Sequence, residues 1–189
     1  MLLPQRTFYF VRHGQTDWNL EGRMQGHTDI PLNANGLEQA VLAAERLHEV
    51  RIDVVVSSPL VRALKTAAVI AETHQWPLRV DTALMERTFG SYEGKLTREM
   101  RALHGLREEE SISTILPPDA EQWPATKARA AAAVDFWLRA LPDQSILFVG
   151  HGAFFRALYE VLGGPRMEAA NAVPYRFVPV DAGWKLEVV

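Results

Sequence analysis

Arginine, histidine and glycine stand together at Arg12-His13-Gly14, and a second histidine lies between two glycines at Gly150-His151-Gly152. An imidazole, with a reference pKa of about 6.5, can be a neutral nucleophile or a protonated donor near pH 7. A guanidinium stays charged at any working pH and grips oxyanions through a planar fork. Together these types suit anion binding coupled to nucleophilic or proton-transfer chemistry. Arg62 follows Ser57-Ser58-Pro59-Leu60-Val61, and Glu86 follows Leu84-Met85, which adds a second fixed cation and a carboxyl group. The six histidines are scattered, with no His-x-x-x-His pair and no carboxylate triad, so a metal-dependent hydrolase is a poor rival. Cysteine is absent, which removes disulfide scaffolds, thiolate metal sites and cysteine-nucleophile chemistry.

Such groups act only if rigid elements hold them. Residues 8–11 form a short run rich in aromatic and β-branched types, which predicts a buried strand ending at Arg12-His13, with Gly14 freeing the backbone to turn. Val54-Val55-Val56 and the run 145–149 are apolar throughout, as parallel strands covered on both faces are. Helical spacing predicts helices over 35–48, after 59, and over 96–104, 126–141 and 153–162. Asn33 or Asn35 is expected to cap the first of these, and serine of Ser57-Ser58 the second, with Pro59 in its first turn. Residues 78–80 read as a short strand, and 175–189, turning at Asp181-Ala182-Gly183, as a closing hairpin. Three apolar runs therefore end in Arg12-His13, in 57–62 and in His151. Parallel strands share one C-terminal edge, so these distant residues can converge there. The fold class is α/β with a mostly parallel central sheet.

Arg12-His13-Gly14 with Asn19 six positions beyond the histidine, Ser57-Ser58-Pro59-Leu60-Val61-Arg62-Ala63-Leu64-Lys65-Thr66-Ala67, Glu86 to Gly94 and Gly150-His151-Gly152 resemble the histidine phosphatase superfamily, which includes the cofactor-dependent phosphoglycerate mutases. The resemblance spans nearly the whole chain and implies a three-layer α/β/α, phosphoglycerate mutase-like domain over 1–189. It also implies His13 as the nucleophile, Arg12, Arg62 and His151 as the phosphate pocket, and Glu86 as the proton donor. Asn19, Gln25, Gly26, Arg87 and Gly152 complete the expected substrate contacts, and Met24, Trp123 and Arg166 are candidate pocket walls. Glu93 is expected to be a structural acceptor, and His27 part of a packed connecting loop. The resemblance is weakest over 95–124, which reads as an insertion leaning over the site and shaping specificity. Where many phosphatases of this family carry Gly-Glu-Ser, this chain has Asp119-Ala120-Glu121-Gln122.

The short interval between Glu86 and His151 and the Phe89-Gly90-x-Tyr92-Glu93-Gly94 form resemble the phosphatase branch, of the broad-specificity and α-ribazole types, more than the mutases. The expected activity is metal-independent hydrolysis of small phosphomonoesters through a phosphohistidine. A phosphoglycerate mutase is the alternative, and a silent binding module of the same fold a weaker one. Phosphate monoester hydrolysis needs accelerations up to about 10²¹, of which a positioned acid supplies roughly 10² to 10⁴. The cationic pocket and the covalent step must supply most of the rest. No cofactor is expected.

At 189 residues, 48% of them apolar and 23% charged, the chain is long enough for one core, and its net charge of −3 gives no basic surface for nucleic acid or anionic membrane. A local arginine cluster must attract an anionic metabolite instead. Residues 1–5 are too short and polar for a secretory signal, and no run approaches a membrane span, so the expected setting is cytoplasmic. Exposed aromatics in the insertion are compatible with a homodimer.

Overall fold

Alternation along the central strands decides the layering of the computed structural model, which describes residues 3–107, 109–181 and 183–189. In chain order its main elements are β1 (Phe8–Arg12), α1 (Asp17–Glu21), α2 (Ala34–Arg46), β2 (Val54–Ser57), α3 (Val61–His74), β3 (Leu78–Val80), α4 (Thr97–Leu103), α5 (Trp123–Ala140), β4 (Ile146–Gly150), α6 (Gly152–Val161), β5 (Pro174–Val180) and β6 (Gly183–Val188). Successive side chains of a strand point to opposite faces. Phe8, Phe10, Val54, Val56, Ile146 and Phe148 therefore join one buried cluster, with Val134 and Leu138 of α5 and Phe154, Phe155 and Leu158 of α6. Val11, Val55, Leu147 and Val149 join a second, with Ala43 and Ala44 of α2 and Ala63, Ala67 and Ile70 of α3. Helices thus cover both faces, and the architecture is three-layered α/β/α.

The sheet runs β3-β2-β4-β1-β5-β6. β1, β2, β3 and β4 are mutually parallel, and the closing hairpin adds β5 and β6 antiparallel on one side. Of the expected turn of that hairpin, Ala182 lies outside the described residues, as do Met1 and Leu2 of 1–5 and Glu108 of the insertion. Register places Arg12 opposite Gly150, and Ser57 opposite Val149. The chain leaves β1 toward the α2 face and leaves β4 toward the α6 face, so connections diverge between these two neighbours. In open α/β sheets that crevice, outside the strands' carboxyl ends, is where ligands bind.

Two local expectations change. Asn33 caps α2, its side chain accepting from Gly36 N–H at 2.9 Å, as the sequence suggests. For α3, however, Leu60 is the capping position and has no side-chain cap; Asp29, on the distant loop between α1 and α2, reaches in, and its Oδ1 accepts from Val61 N–H at 2.7 Å. The serines are displaced from the cap because the chain turns twice more before helical geometry begins. Trp123 and Pro124 open α5, with proline in the first turn where its missing N–H costs nothing, so the irregular part of the insertion ends before them. No helix among the described residues is long and apolar enough to cross a membrane.

Candidate active site

His13 leaves β1 at the sheet's carboxyl edge, its N–H donating to Gly150 O of β4 at 2.9 Å. Gly14 N–H donates to Thr66 Oγ1 of α3 at 3.0 Å. A Cβ on Gly14 would stand 2.3 Å from Gly36 O, and one on Gly36 would stand 2.1 Å from Gln15 O, so only a glycine pair lets this loop lie against the start of α2. The loop is pinned on three sides. Asn171, from the segment before β5, supplies a further tie by donating to the His13 carbonyl at 2.8 Å.

The His13 ring is buried, with Nδ1 2.7 Å from Gly14 O. A carbonyl can only accept, so Nδ1 carries the proton and Nε2 presents its lone pair. Burial lowers the His13 pKa well below the usual imidazole value, and Arg12 and Arg62 lower it further. His151 follows β4 as the N-cap of α6, and its ring centroid lies 5.2 Å from that of His13. Burial, then Arg62, His13 and Arg12, likewise push its pKa well down. Both imidazoles are therefore neutral near pH 7, and an anion beside them would favour protonating His151. Its Nε2 is 2.8 Å from Ser58 Oγ, while its Nδ1 is buried without a partner.

Arg12 donates through Nη1 to Ala169 O at 2.8 Å, and Arg62 donates to Thr28 O at 3.0 Å and to Gly26 O at 2.7 Å. Each leaves a buried Nε without an acceptor. Desolvation lowers both pKa values, and the nearby Glu86 charge opposes that fall. A Cβ on Gly152 would come within 3.3 Å of Arg12 Nε, so this glycine leaves space for the guanidinium. Glu86 stands at the N-terminus of α6. Its oxygens accept from Ala153 N–H (3.0 Å), Phe154 N–H (3.1 Å) and Arg87 N–H (3.0 Å), which fixes the carboxyl group beside the cavity.

A cavity of about 250 Å³ opens at this edge, lined by Arg12, His13, Arg62 and Glu86, with Asn19, Gln25, Gly26, Met24 and Gly152 among the other walls. His151 lies behind them against His13. Gln25 presents a buried amide oxygen without a partner. Asn19 shares its amide oxygen with Thr16, whose N–H and hydroxyl both donate to it at 3.1 Å.

Arg87 is a correction. It is fully buried away from the cavity, donating to Ser113 Oγ at 2.7 Å and to Glu121 O, with its guanidinium over Phe89 and Trp123. Desolvation lowers its pKa to about 10. It ties the insertion to the Glu86 loop. Trp123 is also off the cavity wall, between Arg87 and Arg156, its Nε1 donating to Glu160 Oε2 at 2.9 Å. It is the insertion's one aromatic residue and is engaged within the chain. Arg166 donates to Glu109 O at 3.0 Å instead of lining the cavity.

Glu93 is a hub. Its carboxylate accepts from His27 N–H, Thr28 N–H, Thr28 Oγ1, Thr88 Oγ1 and Phe89 N–H at 2.6–3.1 Å. Burial would raise its pKa, but these donors outweigh it and lower it. His27 in turn has Nε2 2.8 Å from Glu86 O. The insertion contributes Thr97 and Ile112 to the cavity, whereas Asp119 accepts from Ser91 N–H and Glu121 pairs with Arg129. Sequence reasoning missed Arg156 and Glu168, which line the same cavity. Arg156 was within reach of a periodicity argument, four residues past Gly152 on α6; Glu168, in irregular chain, gave no signal. Among the described residues no group of three or more His, Asp or Glu side chains could hold a metal ion.

The sequence model of the histidine phosphatase superfamily (branch 1) matches residues 8–180. The chain is 36% identical over 165 residues to the uncharacterized phosphatase PhoE of Bacillus subtilis (strain 168), covering 86% of this chain and 81% of that protein. It is also 36% identical to the probable phosphoglycerate mutase GpmB of Proteus mirabilis (strain HI4320), over 95% of this chain and 90% of that one. A mycobacterial glucosyl-3-phosphoglycerate phosphatase solved with VO3 superposes with a TM-score of 0.80 at 31% identity, covering 97% of this chain and 98% of the other.

Proposed function

The chain belongs to the histidine phosphatase superfamily, and on that premise we propose that it hydrolyses small-molecule phosphomonoesters through a phosphohistidine on His13. One observation carries this reading: a lone pair on His13 Nε2 shares a small cavity with Arg12 and Arg62, whose buried Nε atoms lack partners, and His151, whose buried Nδ1 also lacks one, lies directly behind against His13. Buried polar atoms are seldom left unpaired, and a tetrahedral oxyanion would satisfy all three.

In the first step Nε2 attacks phosphorus, the phosphorus–oxygen ester bond breaks, and Glu86 gives a proton to the departing alkoxide. In the second, Glu86 takes a proton from water as its oxygen attacks phosphorus, the phosphorus–nitrogen bond breaks, and His13 returns neutral. The Arg12 and Arg62 guanidinium groups, already held in place, stabilise charge on the transferring group without reorganising. Catalysis in this scheme needs no metal. The relatives include both a phosphatase and a mutase, and the small contribution of the insertion to the cavity wall favours the phosphatase, because water keeps access to the phosphoenzyme. A small phosphorylated metabolite is the fitting partner, and a cytoplasmic setting suits it.

The test is phosphate release by the purified chain from glycerol phosphate and an aryl phosphate in the presence of a chelator. Release that His13→Ala abolishes is the expected result. Interconversion of phosphoglycerates, seen only after priming with the bisphosphate and without net phosphate release, would install the mutase instead.

A further inference from the structure

Arg156 has no part in the scheme above, yet it is a buried cation on the cavity wall. Gly152, Ala153 and Arg156 share one face of α6, and four residues of helix put Arg156 about 6 Å beyond the helix start that flanks the phosphate cradle. Its guanidinium is backed by the Trp123 ring, 4.7 Å from the centroid, which holds it in place. Its counterion is Glu168, met through one contact, Nη1 to Oε1, and the Glu168 side chain is 62% exposed while that of Arg156 is 10% exposed. The two ends of this pair differ. A buried guanidinium requires an anion at all times, whereas a largely hydrated carboxylate is weakly held and can swing into solvent. One contact also leaves much of the donor fork for an anion that can bind it through two oxygens. Of the carboxylates lining the cavity, Glu86 is committed to three backbone N–H groups, so Glu168 is the exchangeable one.

Resting on the phosphatase reading, we infer that Arg156 selects substrates carrying a second anionic group, a carboxylate or a second phosphate about one helical turn from the reacting phosphoryl group, and that this group displaces Glu168. Glu168 thereby guards the cation until an acidic substrate arrives. A neutral phosphomonoester leaves the ion pair in place and gains nothing from it.

The experiment compares kcat/KM for two matched pairs: 3-phosphoglycerate against glycerol 3-phosphate, and propane-1,3-diol bisphosphate against its monophosphate. The first pair reads a carboxylate and the second a phosphate. We expect the wild type to favour the acidic member of at least one pair by about tenfold or more, the size of one charge-assisted hydrogen-bonded contact. Arg156→Met, which keeps an apolar stem against Trp123, should bring that ratio close to one, and Glu168→Gln should raise it. Equal wild-type turnover of both members, an unchanged ratio in Arg156→Met, or a lower ratio in Glu168→Gln would overturn the inference while leaving the phosphatase reading intact. A lower rate on polyol phosphates alone in Glu168→Gln would assign Glu168 to substrate hydroxyls and also overturn it. If no substrate releases phosphate, the phosphatase reading fails separately, and calorimetric binding of the same pairs to the wild type and Arg156→Met decides the inference.

Discussion

In the proposed mechanism His13 and Glu86 divide the chemistry between a nucleophile whose proton is parked elsewhere and an acid whose position is set by backbone. Glu86 is held by three backbone N–H donors, so its replacement by glutamine keeps size and some of the hydrogen bonding while removing the proton. Glu86→Gln should therefore slow an alkyl phosphate by about 10² to 10⁴ and an activated aryl phosphate far less, because only the poor leaving group needs the proton. Equal losses on the two would remove Glu86 from that role. The histidines allow a second test at this scale. Burial and two guanidinium groups lower both imidazole pKa values, so the neutral rings should persist as pH falls below the ordinary histidine range. Ring resonances of His13 and His151 in the ligand-free protein should still report neutral imidazole at pH about 6, below the reference value. A midpoint at or above that reference would contradict it.

Among the elements, α3 does most to assemble the cradle, and loops rather than its own sequence fix its start. Asp29 caps Val61, Thr28 and Gly26 carbonyls receive Arg62, and Thr66 holds Gly14 while donating back to Arg62 O. Glu93 binds the far side of the same 26–28 loop, and His27 Nε2 meets Glu86 O, so His13, Arg62 and Glu86 share one scaffold. Asp29→Ala should cost about 1 kcal/mol in urea unfolding, the usual worth of an N-cap. KM for phosphate esters should rise as well, since the first turn of α3 carries Arg62. Unchanged stability would mean that water replaces the cap without loss.

For the whole molecule, burying two neutral imidazoles at the sheet edge has a thermodynamic consequence. In the unfolded chain each takes up a proton near pH 6.5, whereas in the folded protein each does so only at lower pH. As pH falls between these two values the unfolded state binds more protons, so stability present above about pH 6.5 is lost on acidification. Urea midpoints should fall from pH 7.5 to 5.5, and the His13→Asn/His151→Asn double variant should show a shallower decline. Inorganic phosphate should offset the loss in the wild type, because an anion in the cradle favours the protonated ring. A double variant with the wild-type slope would place the acid sensitivity elsewhere.

The strands, the principal helices and the parallel sheet were legible in the residues, because burial imposes its period on the chain: Val54-Val55-Val56 feeds both cores, and the 8–12 and 146–150 runs alternate between them. The candidates His13 and His151 were legible as strand-end residues beside glycine, and parallel pairing alone requires the two edges to align. Everything carried by irregular chain had to wait for the tertiary structure. Arg87 turns inward because Ser113 and Glu121 lie above it, Asp29 caps a helix that begins 32 residues later, and Glu168 reaches Arg156 from a loop. Periodicity records which side of an element is buried, but it holds no information about which loop will cross that element's end. That choice is made by packing between distant segments, and it determines which of several arginines faces the cavity.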